Sequence, residues 1–93
     1  MPFLSQNFFD PRRGESLKVR AYVPDPVRLS VRVYNIAGEL VRVVKEAEVI
    51  PGLTEWSWDG KNDGGSLVGN GVYFIQVVTG SDTQIKRVVV LKK

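Results

Sequence analysis

The sequence predicts an all-β sandwich, and three observations carry that prediction. Apolar residues recur with a period of two rather than 3.6 along most of the chain. Turn-forming Gly, Pro, Asn and Asp interrupt this alternation roughly every 8–12 residues, the spacing of a sandwich or small barrel. No segment carries the i, i+3, i+4 pattern of an amphipathic helix. With 93 residues, 43% of them hydrophobic and 25% charged, residues 1–93 suffice for one domain with one core and no second.

Taken in order, Phe3 to Phe9 is an apolar segment suited to an edge strand. From Ser16 to Val23, Leu17, Val19, Ala21 and Val23 alternate with Ser16, Lys18, Arg20 and Tyr22, so one face is dry and the other wet. Val23-Pro24-Asp25-Pro26 turns the chain. A second alternating strand follows, with Leu29, Val31 and Val33 against Arg28, Ser30, Arg32 and Tyr34. Asn35-Ile36-Ala37-Gly38 is a hairpin loop in which Gly38 can take a positive φ, and Leu40 to Lys45 returns as the third strand.

Val49-Ile50-Pro51-Gly52 is a further turn before a short strand from Thr54 to Trp58. The most loop-like stretch is Asp59 to Gly65, extended by Gly69-Asn70-Gly71. Val72 to Thr79 is apolar on both faces, as a central strand should be. Gly80-Ser81-Asp82 then turns the chain into a last strand, Thr83 to Leu91.

Composition narrows the chemistry. The absence of histidine removes the commonest general base, zinc ligand and serine-triad partner, and the absence of cysteine removes disulfides and thiolate metal sites. The net charge of +3 is dispersed, without the basic cluster that phosphate binding needs, so no nucleic-acid partner is expected. No apolar run approaches the ~18 residues of a membrane span, so no membrane insertion is expected. The first residues lack the charged and apolar regions of a signal peptide, so an export address is expected elsewhere in a parent chain.

Four constellations carry competing readings. Trp56 and Trp58, two residues apart on a strand, share a face; they are core residues or an aromatic platform for sugar rings, the basis for a carbohydrate-binding alternative. Asp59, Asn62 and Asp63 offer oxygen donors for calcium, but Lys61 falls where a ligand belongs, and the same residue types favour tight turns. Lys18, Arg20, Arg28 and Arg32 with Tyr22 and Tyr34 outline a basic aromatic face or, more simply, a solvated sheet surface. The scattered acids and serines form neither a glycosidase pair nor a nucleophile elbow, so no enzyme, no catalytic residue, no metal and no cofactor is assigned.

Longer patterns add a resemblance. Val31-Arg32-Val33-Tyr34-Asn35-Ile36-Ala37-Gly38-Glu39-Leu40-Val41, then Trp58-Asp59-Gly60-Lys61-Asn62-Asp63-Gly64-Gly65 and Gly71-Val72-Tyr73-Phe74, resemble the hairpin and the two signatures of the immunoglobulin-like domain of flagellar hook-capping proteins. The resemblance runs from about Asn7 to Lys92. It implies an immunoglobulin/fibronectin-III-like antiparallel β-sandwich of about seven strands, in which Tyr34, Gly38, Trp58, Asp59, Gly60, Gly71 and Tyr73 have folding roles. Trp58 would enter the core, Asp59 and Gly60 would turn the chain out of one sheet, and the Gly-rich stretch would cross to the other.

A second stretch, Gly71 to Val77 followed by Ile85 to Lys93, is similar to type A C-terminal sorting domains of type IX secretion, which differ by a shorter connection at Trp58–Gly65. Its last strand would supply a sorting segment at Lys86, Arg87, Lys92 and Lys93. Together the resemblances imply a non-catalytic structural or attachment module, C-terminal in a larger exported bacterial protein and located outside the cytoplasm. Its partners would be other domains of that protein or a secretion or cell-surface machinery. The alternatives are a sorting domain, a hook-cap scaffold and a carbohydrate-binding module.

Overall fold

The computed structural model describes residues 3–4 and 8–92. Its strands are β1 (Phe3–Leu4), β2 (Phe8–Phe9), β3 (Leu17–Val23), β4 (Val27–Asn35), β5 (Leu40–Val49), β6 (Gly52–Trp58), β7 (Gly71–Thr79) and β8 (Asp82–Val90). They form two sheets, one ordered β1-β3-β6 and the other β2-β8-β7-β4-β5. The protein is an all-β, immunoglobulin-like sandwich. Among the described residues, helical structure is confined to one 3-10 turn at Pro11–Arg13, capped by the Asp10 side chain.

Alternation sets the layers. In β3, Leu17, Val19, Ala21 and Val23 are buried while Lys18, Arg20 and Tyr22 face water. The inward side chains of Leu17, Val19 and Ala21 meet Leu29, Val31 and Val33 of β4, Ile75 and Val77 of β7, and Val88 and Val90 of β8 in one core. Completely burying each such Val or Leu contributes about 1.5–3 kcal/mol, so period-two patterning fixes which face each strand turns inward. β7 pairs with β4 on one side and β8 on the other, the central place its two apolar faces suit.

The first segment differs from a single edge strand. Phe3–Leu4 pairs antiparallel with β3, whereas Phe8–Phe9 pairs in parallel with Val89–Val90 of β8 in the other sheet. The opening stretch thus contributes a rim to each layer, and Phe9 enters the core. The third strand also extends beyond Lys45, to Val49, in regular register with β4, whereas two bulges break the register before Lys45. The register skips Val41 and Val44, and both pack against the core. Alternation is lost at those two points, which blurs the period-two pattern within the strand.

Candidate functional site

A dense set of polar contacts lies at one end of the sandwich, where the β4–β5 hairpin loop meets the β6–β7 connection. Trp58, the last residue of β6, is fully buried. Its ring packs edge-on against Phe9 (centroids 5.6 Å apart) and Tyr73 (5.5 Å), and its Nε1 donates to the Lys61 carbonyl at 2.9 Å. The indole therefore fills the core while its one polar atom fixes the loop that follows. Tyr73 extends this arrangement by donating its hydroxyl to the Gly69 carbonyl at 2.8 Å, and burial pushes its pKa up.

Asp59, Gly60 and Gly71 shape the two ends of the connection. Asp59 Oδ1 accepts from the Lys61 amide, an Asx turn that swings the chain out of β6. Gly60 has a φ of +80° and is buried so closely that a Cβ would lie 2.7 Å from Pro11 Cβ. Gly71, at φ +151°, opens β7 opposite Val90. Between them, Lys61 and Leu67 form a short antiparallel bridge, and Asn62 closes it by exchanging hydrogen bonds with Ser66.

Asp63 then ties this loop to β5. Its amide donates to the Val41 carbonyl at 3.0 Å and its Oδ1 accepts from the Val43 amide at 3.1 Å. Arg42 donates to the Asn62 carbonyl at 3.1 Å and lies 3.9 Å from Asp63 Oδ1. Across the shared cleft, of about 460 Å³, Asn35 Oδ1 accepts from the Ala37 and Glu39 amides and its Nδ2 donates to Glu39. Gly38 completes that hairpin with a φ of +82°. Tyr34 stands apart on the outer face of the five-stranded sheet, with its hydroxyl 3.4 Å from Gln76 Oε1.

The geometry corrects two of the candidate surfaces. Trp58 has no exposed ring face, and Trp56, opposite buried Val19, turns inward and packs against the core. The two indoles therefore form no open sugar platform. Lys18, Arg20 and Tyr22 lie on the outer face of one sheet, whereas Arg28, Arg32 and Tyr34 lie on that of the other, so the basic aromatic face is split between opposite sides. Arg20 is paired with Glu55 and Arg32 with Glu46, bonds that hold the Glu55 carboxyl below and the Arg32 guanidinium above their usual pKa ranges. In the loop, Asp59, Asn62 and Asp63 each accept from a different backbone amide, which accounts for these residue types without a cation.

The basic residues of the last strand are dispersed. Lys86 shares the inner-face row of Ile75 yet is exposed, and Arg87 sits opposite Phe74 on the outer face. The Lys92 backbone is held by Asn70, whose Oδ1 accepts from the Lys92 amide at 2.7 Å. Lys93 lies outside the described residues. Sequence reading missed the contacts of Arg42, Asp63 and Asn70 because their partners lie 20 to 22 residues away. The available signal was the polar run itself, which gives no indication of which strand it meets.

Curated proteins returned no match. Among solved structures, FlgD from P. aeruginosa superposes with a TM-score of 0.62 at 19% identity, over 95% of this chain and 63% of that one. PorZ, a surface component of the type IX secretion system of Porphyromonas gingivalis, gives 0.65 at 17% identity, over 98% of this chain and 11% of that one. Dimeric latent PorU from the same organism gives 0.69 at 22% identity, over 99% and 9%. At these identities the likeness is one of fold, and this chain spans less than two thirds of each of those proteins. Residues 8–83, a span that includes Trp58–Gly65 and Gly71–Phe74, match the FlgD Ig-like domain, and the chain belongs to the FlgD Ig-like domain family.

Proposed function

We propose that this domain is a non-catalytic structural or attachment module of a larger exported protein, acting through its sheet edges and faces. The observation that carries this reading is the inward use of the signature residues. Trp58, Asp59, Gly60 and Tyr73 are engaged in packing and loop closure, with hydrogen bonds to backbone atoms of their own loop. The structural neighbours support a modular role, since in each the matched region is a portion of a longer chain.

A second reading, that the domain addresses its parent to type IX secretion, draws on the likeness to PorZ and PorU and on the basic residues Lys86, Arg87 and Lys92. One experiment separates the two. A reporter with a signal peptide is fused to this domain and located in hosts with and without the type IX machinery, with folding checked by protease resistance. Retention of the folded fusion in the periplasm of both hosts is the outcome expected of a passive module. Delivery to the surface that needs both domain and machine would replace that reading with the sorting one.

A further inference from the structure

The five-stranded sheet treats its two edges differently. At β5 two bulges interrupt the edge between Leu40 and Lys45, and Asp63 engages the outward groups of Val41 and Val43 there. At the other edge, β8 pairs with β7 in an unbroken register from Asp82 to Val90. Among the described residues, β2 covers it at Val89–Val90, with one further bond from the Leu91 amide. Among the described residues, the outer side of Asp82 to Val88 is left open. A regular, unbulged edge of this length is a template for another strand, which proteins ordinarily block.

The backbone phase of this edge is defined. The Leu91 amide donates outward to the Phe9 carbonyl, so alternation along the regular strand turns the amides and carbonyls of Thr83, Ile85 and Arg87 outward too. Ile85 is 59% exposed beside them. Asp82, Gln84 and Lys86 occupy the alternate row, opposite Thr79, Val77 and Ile75.

We propose that β8 pairs antiparallel with β8 of a second copy of this chain, joining the two sheets into one. A two-fold axis at Gln84 sets Gln84 opposite its equivalent and each Lys86 opposite Asp82 of the other copy. Directly opposed charges of unlike sign stabilise strand pairs, and this register makes two such pairs. The neighbouring register, centred on Ile85, sets Lys86 opposite Gln84 and Asp82 opposite Val88, and makes none. Charge complementarity therefore selects the partner and its alignment. Because the contact is isologous, each β8 edge is used up by its partner, and assembly through β8 closes at a dimer rather than growing into a fibre. Lys86, which would hinder pairing with an arbitrary strand, becomes a specificity element.

The test uses the whole chain. Sedimentation equilibrium over a concentration series is expected to show a dimer of the 10.4 kDa chain that weakens with salt. Lys86→Asp should abolish it, and the double variant Asp82→Lys with Lys86→Asp should restore it. Register is read by cysteine, which the native chain lacks. Under mild oxidation Gln84→Cys should give the covalent dimer, because residues opposed in a non-hydrogen-bonded pair lie ~4.5 Å apart, within disulfide reach. Ile85→Cys should give much less. A monomer at every concentration, loss of dimer without charge-swap rescue, or preferential linkage at Ile85 would each overturn the proposal. None of these results would bear on the module reading, which the localisation experiment tests separately.

Discussion

Trp58 and Tyr73 meet edge to face, with ring centroids 5.5 Å apart and planes inclined at 64°, and each anchors a different end of the same loop. Trp58 Nε1 holds the Lys61 carbonyl and the Tyr73 hydroxyl holds the Gly69 carbonyl, so the pair couples the core to the whole β6–β7 connection. Edge-to-face geometry brings the positive rim of one ring to the negative face of the other, a gain of about 0.5–1.5 kcal/mol beyond area burial.

Trp58→Ala is expected to cost about 3–5 kcal/mol, the range for deleting a buried aromatic. Trp58→Phe should cost less in packing but leave the Lys61 carbonyl without its donor. Denaturant titration checks the first value. Faster amide exchange across residues 61–68 in Trp58→Phe, with the β-sheet core unchanged, checks the second.

Gly60 and Gly38 share a positive φ, +80° and +82°, but differ in surroundings. A Cβ at Gly38 meets open space, so Gly38→Ala should cost only the left-handed penalty of about 1–2 kcal/mol. A Cβ at Gly60 would lie 2.7 Å and 2.9 Å from Pro11 Cβ and Cγ, so Gly60→Ala should add a further ~1–3 kcal/mol of overpacking. Pro11→Gly removes both obstructing atoms. In a double-mutant cycle it should recover most of that added cost but not the φ penalty. Equal losses at Gly38 and Gly60 would contradict this account.

Much of the fold was legible because local pattern and tertiary role coincide in it. The alternation of Leu17, Val19, Ala21 and Val23 matches the burial of β3 residue for residue. The two apolar faces of β7 announce a strand flanked on both sides. Legibility ended where a residue's role is decided by distant chain. Val41 and Val44 are turned inward by bulges whose cause lies in the pairing with β4. The basic residues of β3 and β4 look continuous in sequence, but their strands belong to different sheets. At the loop end, the residue types pointed to turns, whereas the attachment of Asp63 to β5 needed the topology.

Asp63→Ala should free that attachment. The Val43 amide would lose its acceptor, and a hydrogen bond of this kind contributes about 0.5–1.5 kcal/mol net, at the lower end for an exposed site. The sharper readout is local: exchange of the Val43 amide should accelerate while that of Ile75 in the central strand holds. Asp63→Asn retains a side-chain oxygen and should keep much of the protection. Unchanged Val43 exchange in Asp63→Ala would mean that the loop does not guard this edge.

At low pH the cross-strand pair of Arg20 and Glu55, 2.5 Å apart, is the informative group. The Arg20 hydrogen bond lowers the Glu55 pKa below the usual 4.5. A depressed carboxyl binds fewer protons folded than unfolded, so its contribution is present above about pH 4.5 and fades as pH falls through the folded value. The pair is exposed and screened, so the effect should be small and weaken with salt. Glu55→Gln should flatten the acid limb of the stability curve at low ionic strength. An identical acid limb in wild type and Glu55→Gln would exclude this contribution.

At high pH the sign follows from Tyr73. Burial raises its pKa above the usual 10.0. Between that value and the folded one, the unfolded chain has released the phenolic proton while the folded chain retains it. The unfolded state then binds fewer protons, so stability falls as pH rises. The contribution is fully present below pH 10 and lost as pH climbs through the folded value, when the phenolate can no longer donate to Gly69. Tyr73→Phe should be less stable than wild type at neutral pH, because the Gly69 carbonyl loses its donor. It should also show a shallower decline above pH 10, because position 73 no longer titrates. Chemical denaturation across that range measures both effects in the same two proteins. A Phe variant that declines as steeply as wild type would place the alkaline sensitivity elsewhere in the chain.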